Sequence, residues 1–379
     1  MRNIKLNIPT KIYFGENIVD EALLKEKDVL GNRILIITTG RSLKTLGHLD
    51  KLVEMTGKLT DGEVFIFDDI SQNPDISEVA EAVKIGKDNK VSSVIGFGGG
   101  SAMDAAKAAA VGIASDTPIE KYLYDGIEPD DSTLPIIAIP TTAGTGSELS
   151  KGAIISSRER GIKTGIRGMA VLPKAAIVDP TYTWSVPMKV TLETGFDVFA
   201  HAAESYCSLN ADMFSEMLSE KAIKYAGEAL RKLKADPDDH SARERISFAS
   251  MIMGINLLNT GNCLPHRMQY PVGSATDTSH AAGLIALYPS WISHEFDVNK
   301  EKVNDILAWL GLDRASDTEQ AKSVFKAFLD ELEISRTLTD LGLDVGTASG
   351  LSEQVTGNIS SDRLSEIPDI INTIYMESL

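Results

Sequence analysis

The chain has 379 residues and a formal net charge of -17, from 37 Lys and Arg against 54 Asp and Glu, with 43% apolar and 24% charged residues. That balance is ordinary for a soluble globular protein, and the excess of acid excludes nucleic acid and anionic membrane as main partners, since both call for a basic face. Two cysteines without a CxxC, Cys207 and Cys263, exclude a disulfide framework, and no apolar run reaches the roughly 18 residues of a membrane span.

The N-terminal MRNIKLNIPTKIYFG alternates apolar and polar residues and has no apolar core or cleavage site of a signal peptide. The sequence therefore predicts a soluble protein of the reducing cytoplasm. Strands and helices alternate in the first half. Ile34 to Thr38 reads as a strand buried on both faces, followed by a helix around Leu49 to Met55. Glu63 to Phe67 is a second strand, Ile76 to Asn89 an amphipathic helix, and Val91 to Gly96 a third strand. The Ala-rich Ala102 to Gly112 reads as a helix and Leu134 to Ile139 as another strand. Such alternation predicts βαβ units and a mostly parallel sheet.

Beyond about Pro187 the strand-like runs end. Helical periodicity follows over Leu192 to Leu209, Phe214 to Lys234, Ala242 to Asn259, Ala281 to Phe296, Glu301 to Leu310 and Glu319 to Leu332. The expected organisation is an α/β domain over 1–184 and an all-helical domain over 185–379, joined where Pro180 and Pro187 flank a Thr/Ser/Trp stretch.

Two glycine-rich turns follow strands. Gly98, Gly99, Gly100 and Ser101 lead into the Ala-rich helix, where free backbone N–H groups and the positive end of the helix dipole suit a phosphate. A tight βα turn accounts for GGGS equally well, and the GxGxxG fingerprint is absent. Pro140 to Glu148, PTTAGTGSE, carries four hydroxyls and two glycines after the next strand, and ligands sit at the carboxyl ends of such strands. In the second half, Asp197 and His201 stand at i, i+4 on one helix face, fitting either a local hydrogen bond or a pair of metal ligands. His266 and His280 flank a turn, PVGSATDTS, from which two segments can converge.

GGGSAMDAAK (Gly98 to Lys107), PTTAGTGSE, LPKAAIVDP (Leu172 to Pro180), DVFAH (Asp197 to His201) and the pair His266/His280 occur in the order seen in the iron-containing, or group III, alcohol dehydrogenases, and KIYFGEN (Lys11 to Asn17) resembles that family's opening strand. The resemblance runs from about residue 5 to about 300. It implies a dehydroquinate-synthase-like fold: a Rossmann-like parallel-sheet domain, then an all-helical metal-binding domain, with cofactor and metal in the cleft between them. Carried over by position, Asp197, His201, His266 and His280 would bind a divalent metal, Fe²⁺ by the family's name and Zn²⁺ as well by ligand type. Gly98, Gly99, Gly100 and Ser101 would hold a pyrophosphate, with Asp104 supporting that helix start. Thr141, Thr142, Thr145 and Ser147 would line the dinucleotide, and Lys163 would lie near its nicotinamide end. The implied reaction is hydride transfer between NAD(P)H and a small metal-bound alcohol or aldehyde, in a homodimer. A lyase of the dehydroquinate-synthase type, using nicotinamide transiently, is the alternative.

Three departures bear on specificity. Tyr270 stands at a catalytic position where the family usually has a histidine, and a phenol donates a hydrogen bond but is a poor base near neutral pH. Lys151 and Arg267 replace residues that are commonly small or apolar; they either recognise an anionic substrate or face solvent. The turn after the first strand, Thr39, Gly40, Arg41 and Ser42, has no acid to accept from a ribose 2′-hydroxyl, which favours NADP over NAD. Cys263 reads as a packed thiol, and His48, His240 and His294 as surface residues.

Overall fold

The computed structural model describes Ile4, residues 6–60 and residues 62–379. It divides into two compact units: Asn7–Thr142 with Gly146–Ser185, and Val186–Leu379 with Ala143–Thr145, Ile4 and Leu6.

The first unit contains strand β1 (Lys11–Phe14), β2 (Arg33–Thr39), helix α1 (His48–Thr60), β3 (Glu63–Ile70), α2 (Ile76–Asp88), β4 (Ser93–Gly98), α3 (Gly100–Ala114), β5 (Ile136–Pro140), β6 (Gly152–Ser157), β7 (Ile162–Arg167) and β8 (Ala175–Val178). Six strands form one parallel sheet in the order β1-β8-β5-β4-β2-β3, and β6 and β7 form a separate antiparallel hairpin. Strand alternation supplies two cores. Ile34 and Ile36 face one layer with Phe97, Ile139 and Ile177, while Leu35 and Ile37 face the other with Val94 and the alanines of α3. Those alanines let α3 lie close on the sheet: a Cβ on Gly96 would stand 3.0 Å from the Ala106 Cβ.

The hairpin was not anticipated from the sequence. Its residues alternate only weakly, and it is held by α3, whose Asp104 accepts the Ile154 N–H at 2.9 Å.

The second unit is helical: α4 (Met188–Cys207), α5 (Met213–Ala235), α6 (His240–Thr260), α7 (Leu264–Thr276), α8 (His280–Trp309), α9 (Thr318–Glu331) and, after short turns, α10 (Ile370–Glu377). Asp212, Asp239, Ser279 and Asp317 cap α5, α6, α8 and α9 through their side chains. Phe196, Phe199, Tyr288 and Phe325 make an aromatic core with ring centroids 5.3 to 6.5 Å apart. Among the described residues, no helix is long and apolar enough to cross a membrane.

The segments Ala281 to Phe296 and Glu301 to Leu310 are two helical stretches, as expected, and they meet within α8 at a kink at Asn299 (φ -142°, ψ 46°), whose side-chain amide donates to Glu295 at 2.5 Å. One expectation for this half is corrected. The turn expected between His266 and His280 is mostly the helix α7, with Pro271 inside it. An internal proline costs about 3 kcal/mol, and burial of Met268, Tyr270 and Val272 offsets it. The turn shrinks to Asp277, left-handed at φ 51°, and Thr278.

Candidate metal and cofactor sites

Three helices of the second unit build a buried polar cluster. Asp197 and His201 lie one turn apart on α4, His266 falls in the first turn of α7, and His280 is the first residue of α8. Gly283 permits the approach of α8 to α7, since a Cβ there would meet Gln269 Cγ at 2.9 Å. Asp197 Oδ1 lies 3.6 Å from His201 Nε2, 3.3 Å from His266 Nε2 and 3.8 Å from His280 Nε2. Ligand atoms of Asp197, His201 and His266 all fall within 4.8 Å of one another. The His201 and His266 rings stack at 4.0 Å.

Each imidazole is turned by a partner on its other nitrogen. Nδ1 of His201 faces Asn262 Oδ1 at 3.2 Å, Nδ1 of His266 faces Glu204 Oε1 at 2.5 Å, and Nδ1 of His280 faces Gln269 Oε1. All three Nε2 atoms are thereby aimed at the Asp197 carboxylate. Asp197 Oδ1 and His266 Nε2 are buried yet make no hydrogen bond. Buried polar atoms are rarely left so, and a carboxylate oxygen and an imidazole nitrogen converging on one point suit a cation. Asp197, His201 and His266 therefore fit a divalent ion, with the His280 Nε2 turned to the same carboxylate.

The electrostatics of the cluster are those of one buried acid among three imidazoles. Burial works to raise the Asp197 pKa, but the imidazoles around it hold it well below the usual carboxylate range. Burial and the neighbouring His266 lower His201 to about 3, leaving a neutral ring with a free lone pair. Burial would lower His266 too, but Glu204 and Asp197 outweigh it and raise it to about 10.

Tyr270 is buried, its ring 6.2 Å from His280, and the Arg267 guanidinium lies 5.8 Å from the centroid of the same ring. Arg267 Nε is buried without a partner, and no carboxylate among the described residues pairs with that guanidinium. Sequence reasoning missed Glu204, Asn262 and Gln269. Glu204 was within reach: it stands three residues after His201 and seven after Asp197, on the same face of α4.

In the first unit, β4 ends at Gly98 (φ 150°), where a Cβ would meet that of Ala102 at 2.8 Å, so the turn requires glycine. No side chain caps α3, whose N-cap is Gly99, so the helix opens on bare backbone N–H groups. A Cβ on Gly99 would lie 3.3 Å from Thr142 Oγ1, which sets Thr142 beside the turn; Ser101 donates to Gln72 O, and Thr141 is buried.

Asp104 does not support the start of α3, as expected, but reaches sideways. One of its oxygens accepts from Ser147 Oγ at 2.5 Å, the other from Ile154 N–H. The fully buried Lys107, one turn on, donates to Ser147 Oγ (2.7 Å), Ser150 Oγ (3.0 Å) and Gly152 O (2.8 Å). Ser147 is thus consumed inside this network, which pins the PTTAGTGSE loop to α3. Thr145 falls with the helical unit, in the short stretch where Gly144 N–H donates to Ser250 Oγ at 2.9 Å.

Thr39 is half-buried at the end of β2; Gly40 (φ 62°), Arg41 and Ser42 are exposed, and no acid pairs with Arg41 among the described residues. Lys163 on β7 donates to Asn73 Oδ1 at 2.9 Å, and Lys151 is exposed. His48 packs edge-on against Tyr182 at 5.1 Å, and His294 pairs with Glu377 at 3.0 Å. Both lie outside the two sites.

The family model for iron-containing alcohol dehydrogenases matches residues 9–180, and the C-terminal model of the same family matches 191–361. Similar curated proteins include the sulfoacetaldehyde reductase of Bilophila wadsworthia, 30% identical over 88% of this chain and 87% of that protein. NADH-dependent butanol dehydrogenase A of Clostridium acetobutylicum is 30% identical over 94% of each chain. Among solved structures, an archaeal alcohol dehydrogenase from a Red Sea brine pool superposes with a TM-score of 0.92 at 25% identity over 100% of both chains. The sulfoacetaldehyde reductase of Bifidobacterium kashiwanohense in complex with NAD⁺ gives 0.85 at 27%, covering 100% of this chain and 99% of that one.

Proposed function

As a member of the iron-containing alcohol dehydrogenase family, this chain is a nicotinamide-dependent oxidoreductase of alcohols and aldehydes, and we propose that it is a metal-dependent aldehyde reductase that favours NADP(H) and accepts anionic aldehydes. The observation that carries the reading is the pair of buried, unbonded atoms, Asp197 Oδ1 and His266 Nε2, with His201 and His280 turned to the same point. Asp197, His201, His266 and His280 would hold the ion, Fe²⁺ by our reading, with Zn²⁺ served by the same donors. When bound, the ion supplies Lewis acidity to the substrate oxygen and the nicotinamide carries the hydride.

The chain's own part is position and charge. Bare N–H groups at Gly98 to Ser101 receive the pyrophosphate, Thr141, Thr142 and Thr145 line the dinucleotide, and Lys163 serves its nicotinamide end. Thr39, Gly40, Arg41 and Ser42 meet the adenosine ribose, where a guanidinium that no acid pairs with among the described residues favours a 2′-phosphate. Ser147 and Asp104 act at one remove, by holding the threonine loop. Tyr270 donates a hydrogen bond at the reacting centre. Arg267, which no carboxylate pairs with among the described residues and which lies over the Tyr270 ring, supports an anionic substrate, and similarity to sulfoacetaldehyde reductases points the same way. Lys151 belongs to the same proposal with exposure as its only support.

We assign cofactor binding to 1–184 and metal and substrate binding to 185–379. Two buried free thiols support a reducing cytoplasm, and exposed Ile4 (53%) and Leu6 (42%) ahead of the edge strand β1 support a homodimer.

One kinetic comparison tests the reading. Reduction of sulfoacetaldehyde and of butyraldehyde is measured with NADPH and NADH for the wild type, Arg267→Ala and Arg41→Ala. Arg267→Ala is expected to lower kcat/KM for the anionic aldehyde at least tenfold more than for the neutral one, and Arg41→Ala to erase a preference for NADPH. Equal losses for both aldehydes sink the anionic assignment, and a wild-type preference for NADH sinks the cofactor assignment.

A further inference from the structure

Glu204 is fully buried on α4, and its only ionic partner among the described residues is His266. Oε1 accepts from His266 Nδ1 at 2.5 Å and from the Tyr288 hydroxyl at 3.3 Å, and Oε2 accepts the Cys263 N–H at 2.8 Å. A carboxylate shut away from water this completely needs a charged or strongly donating partner. The three imidazoles of the cluster are not held alike: at Nδ1, His201 and His280 face amide oxygens of Asn262 and Gln269, and His266 alone faces a carboxylate.

We infer that Glu204 is a positioning residue of the metal centre, which fixes the proton of His266 on Nδ1 and presents Nε2 as the ligand atom. The inference rests on the metal reading of Asp197, His201, His266 and His280. A carboxylate hydrogen-bonded to a ligating histidine fixes the tautomer and raises ligand basicity, and its loss commonly weakens metal binding 10- to 100-fold.

The local bonding explains why an amide cannot replace it. Both oxygens of Glu204 receive donors, so a glutamine must turn its NH₂ toward one of them. Turned to Cys263, it opposes an N–H. Turned to His266, it needs a lone pair on Nδ1, which drives the proton to Nε2 and blocks the ligand atom. A purely structural role, accepting the Cys263 N–H, is one an amide oxygen fills.

The test uses Zn²⁺ as probe, with affinity read by competition against a chromophoric chelator, and Co²⁺ substitution read by its visible d–d spectrum. Glu204→Gln is expected to bind Zn²⁺ 10- to 100-fold more weakly and to alter the Co²⁺ spectrum, while Glu204→Asp recovers part of the affinity. Wild-type affinity within twofold in a folded Glu204→Gln protein overturns the inference. Asp197→Ala separates the two layers: if it too binds Zn²⁺ like the wild type, the metal reading itself is lost. If neither Glu204 variant folds, ¹⁵N NMR of the histidines in Zn²⁺-loaded wild type decides. A proton on Nδ1 of His266 supports the role, and a proton on Nε2 overturns it.

Discussion

Glu148, the last residue of PTTAGTGSE, shows how one side chain reports on its surroundings. It is buried, and desolvation raises its pKa to about 7, against the opposing effects of a backbone N–H and Lys107. The fold therefore prefers the protonated acid. A raised folded-state pKa contributes stability that is full below the ordinary value near 4.5 and is lost as pH rises through 7. Urea unfolding of the wild type and Glu148→Gln between pH 4 and 8 checks this. The wild type should lose stability relative to the variant by up to roughly 3 kcal/mol across that range, and parallel pH curves would refute it. At the same scale, the cluster at Asp197 depends on single atoms: three Nδ1 bonds decide where three Nε2 atoms point.

At the scale of elements, the junction of β4 and α3 combines the two features on which the proposed phosphate site rests. Gly98 adopts a φ that side chains rarely take, and α3 starts without a capping side chain. Gly98→Ala would force its Cβ against Ala102 in a left-handed conformation, at a cost of about 1–3 kcal/mol. The expected result is NADPH binding weakened at least tenfold by fluorescence titration, with Zn²⁺ affinity unchanged because its donors lie on α4, α7 and α8. Equal weakening of both ligands would mean a general loss of structure. The helix α7 teaches the opposite lesson about local signals, for Pro271 and the Gly/Ser/Thr run predict a break that burial overrides.

For the whole molecule, a net charge of -17 opposes the binding of an anionic dinucleotide, so on the proposed reading attraction is local: the N-terminus of α3, Arg41, which no acid pairs with among the described residues, and the proposed metal site. An ion that binds only the folded chain must also stabilise it. At a free concentration of 100 times its Kd the gain is about 2.7 kcal/mol, and excess chelator removes it. Differential scanning calorimetry with Zn²⁺ and with EDTA should therefore show a higher Tm for the wild type with Zn²⁺ and no shift for Asp197→Ala. An equal shift in both would place the ion elsewhere.

The α/β-then-helical order was legible because strands buried on two faces leave unbroken β-branched runs, as in Ile34 to Thr38, and helices leave a 3.6-residue stripe. Asp197 and His201 were legible as a pair because one helix turn places them together without help from the rest of the chain. The hairpin of β6 and β7 was not, since its pairing partners and the Asp104 acceptor that anchors it are tertiary neighbours. By itself, then, the sequence determined the class of fold, the glycine turns and a helix bearing two donors, all of which follow from periodicities and spacings within a few residues. Only the tertiary structure decided that His266 and His280 meet that helix, that Asp104 and Lys107 hold a loop, and that Glu204 stands behind His266. Those are contacts between residues 40 or more positions apart, fixed by which faces of the helices bury against their neighbours, and no local spacing records them.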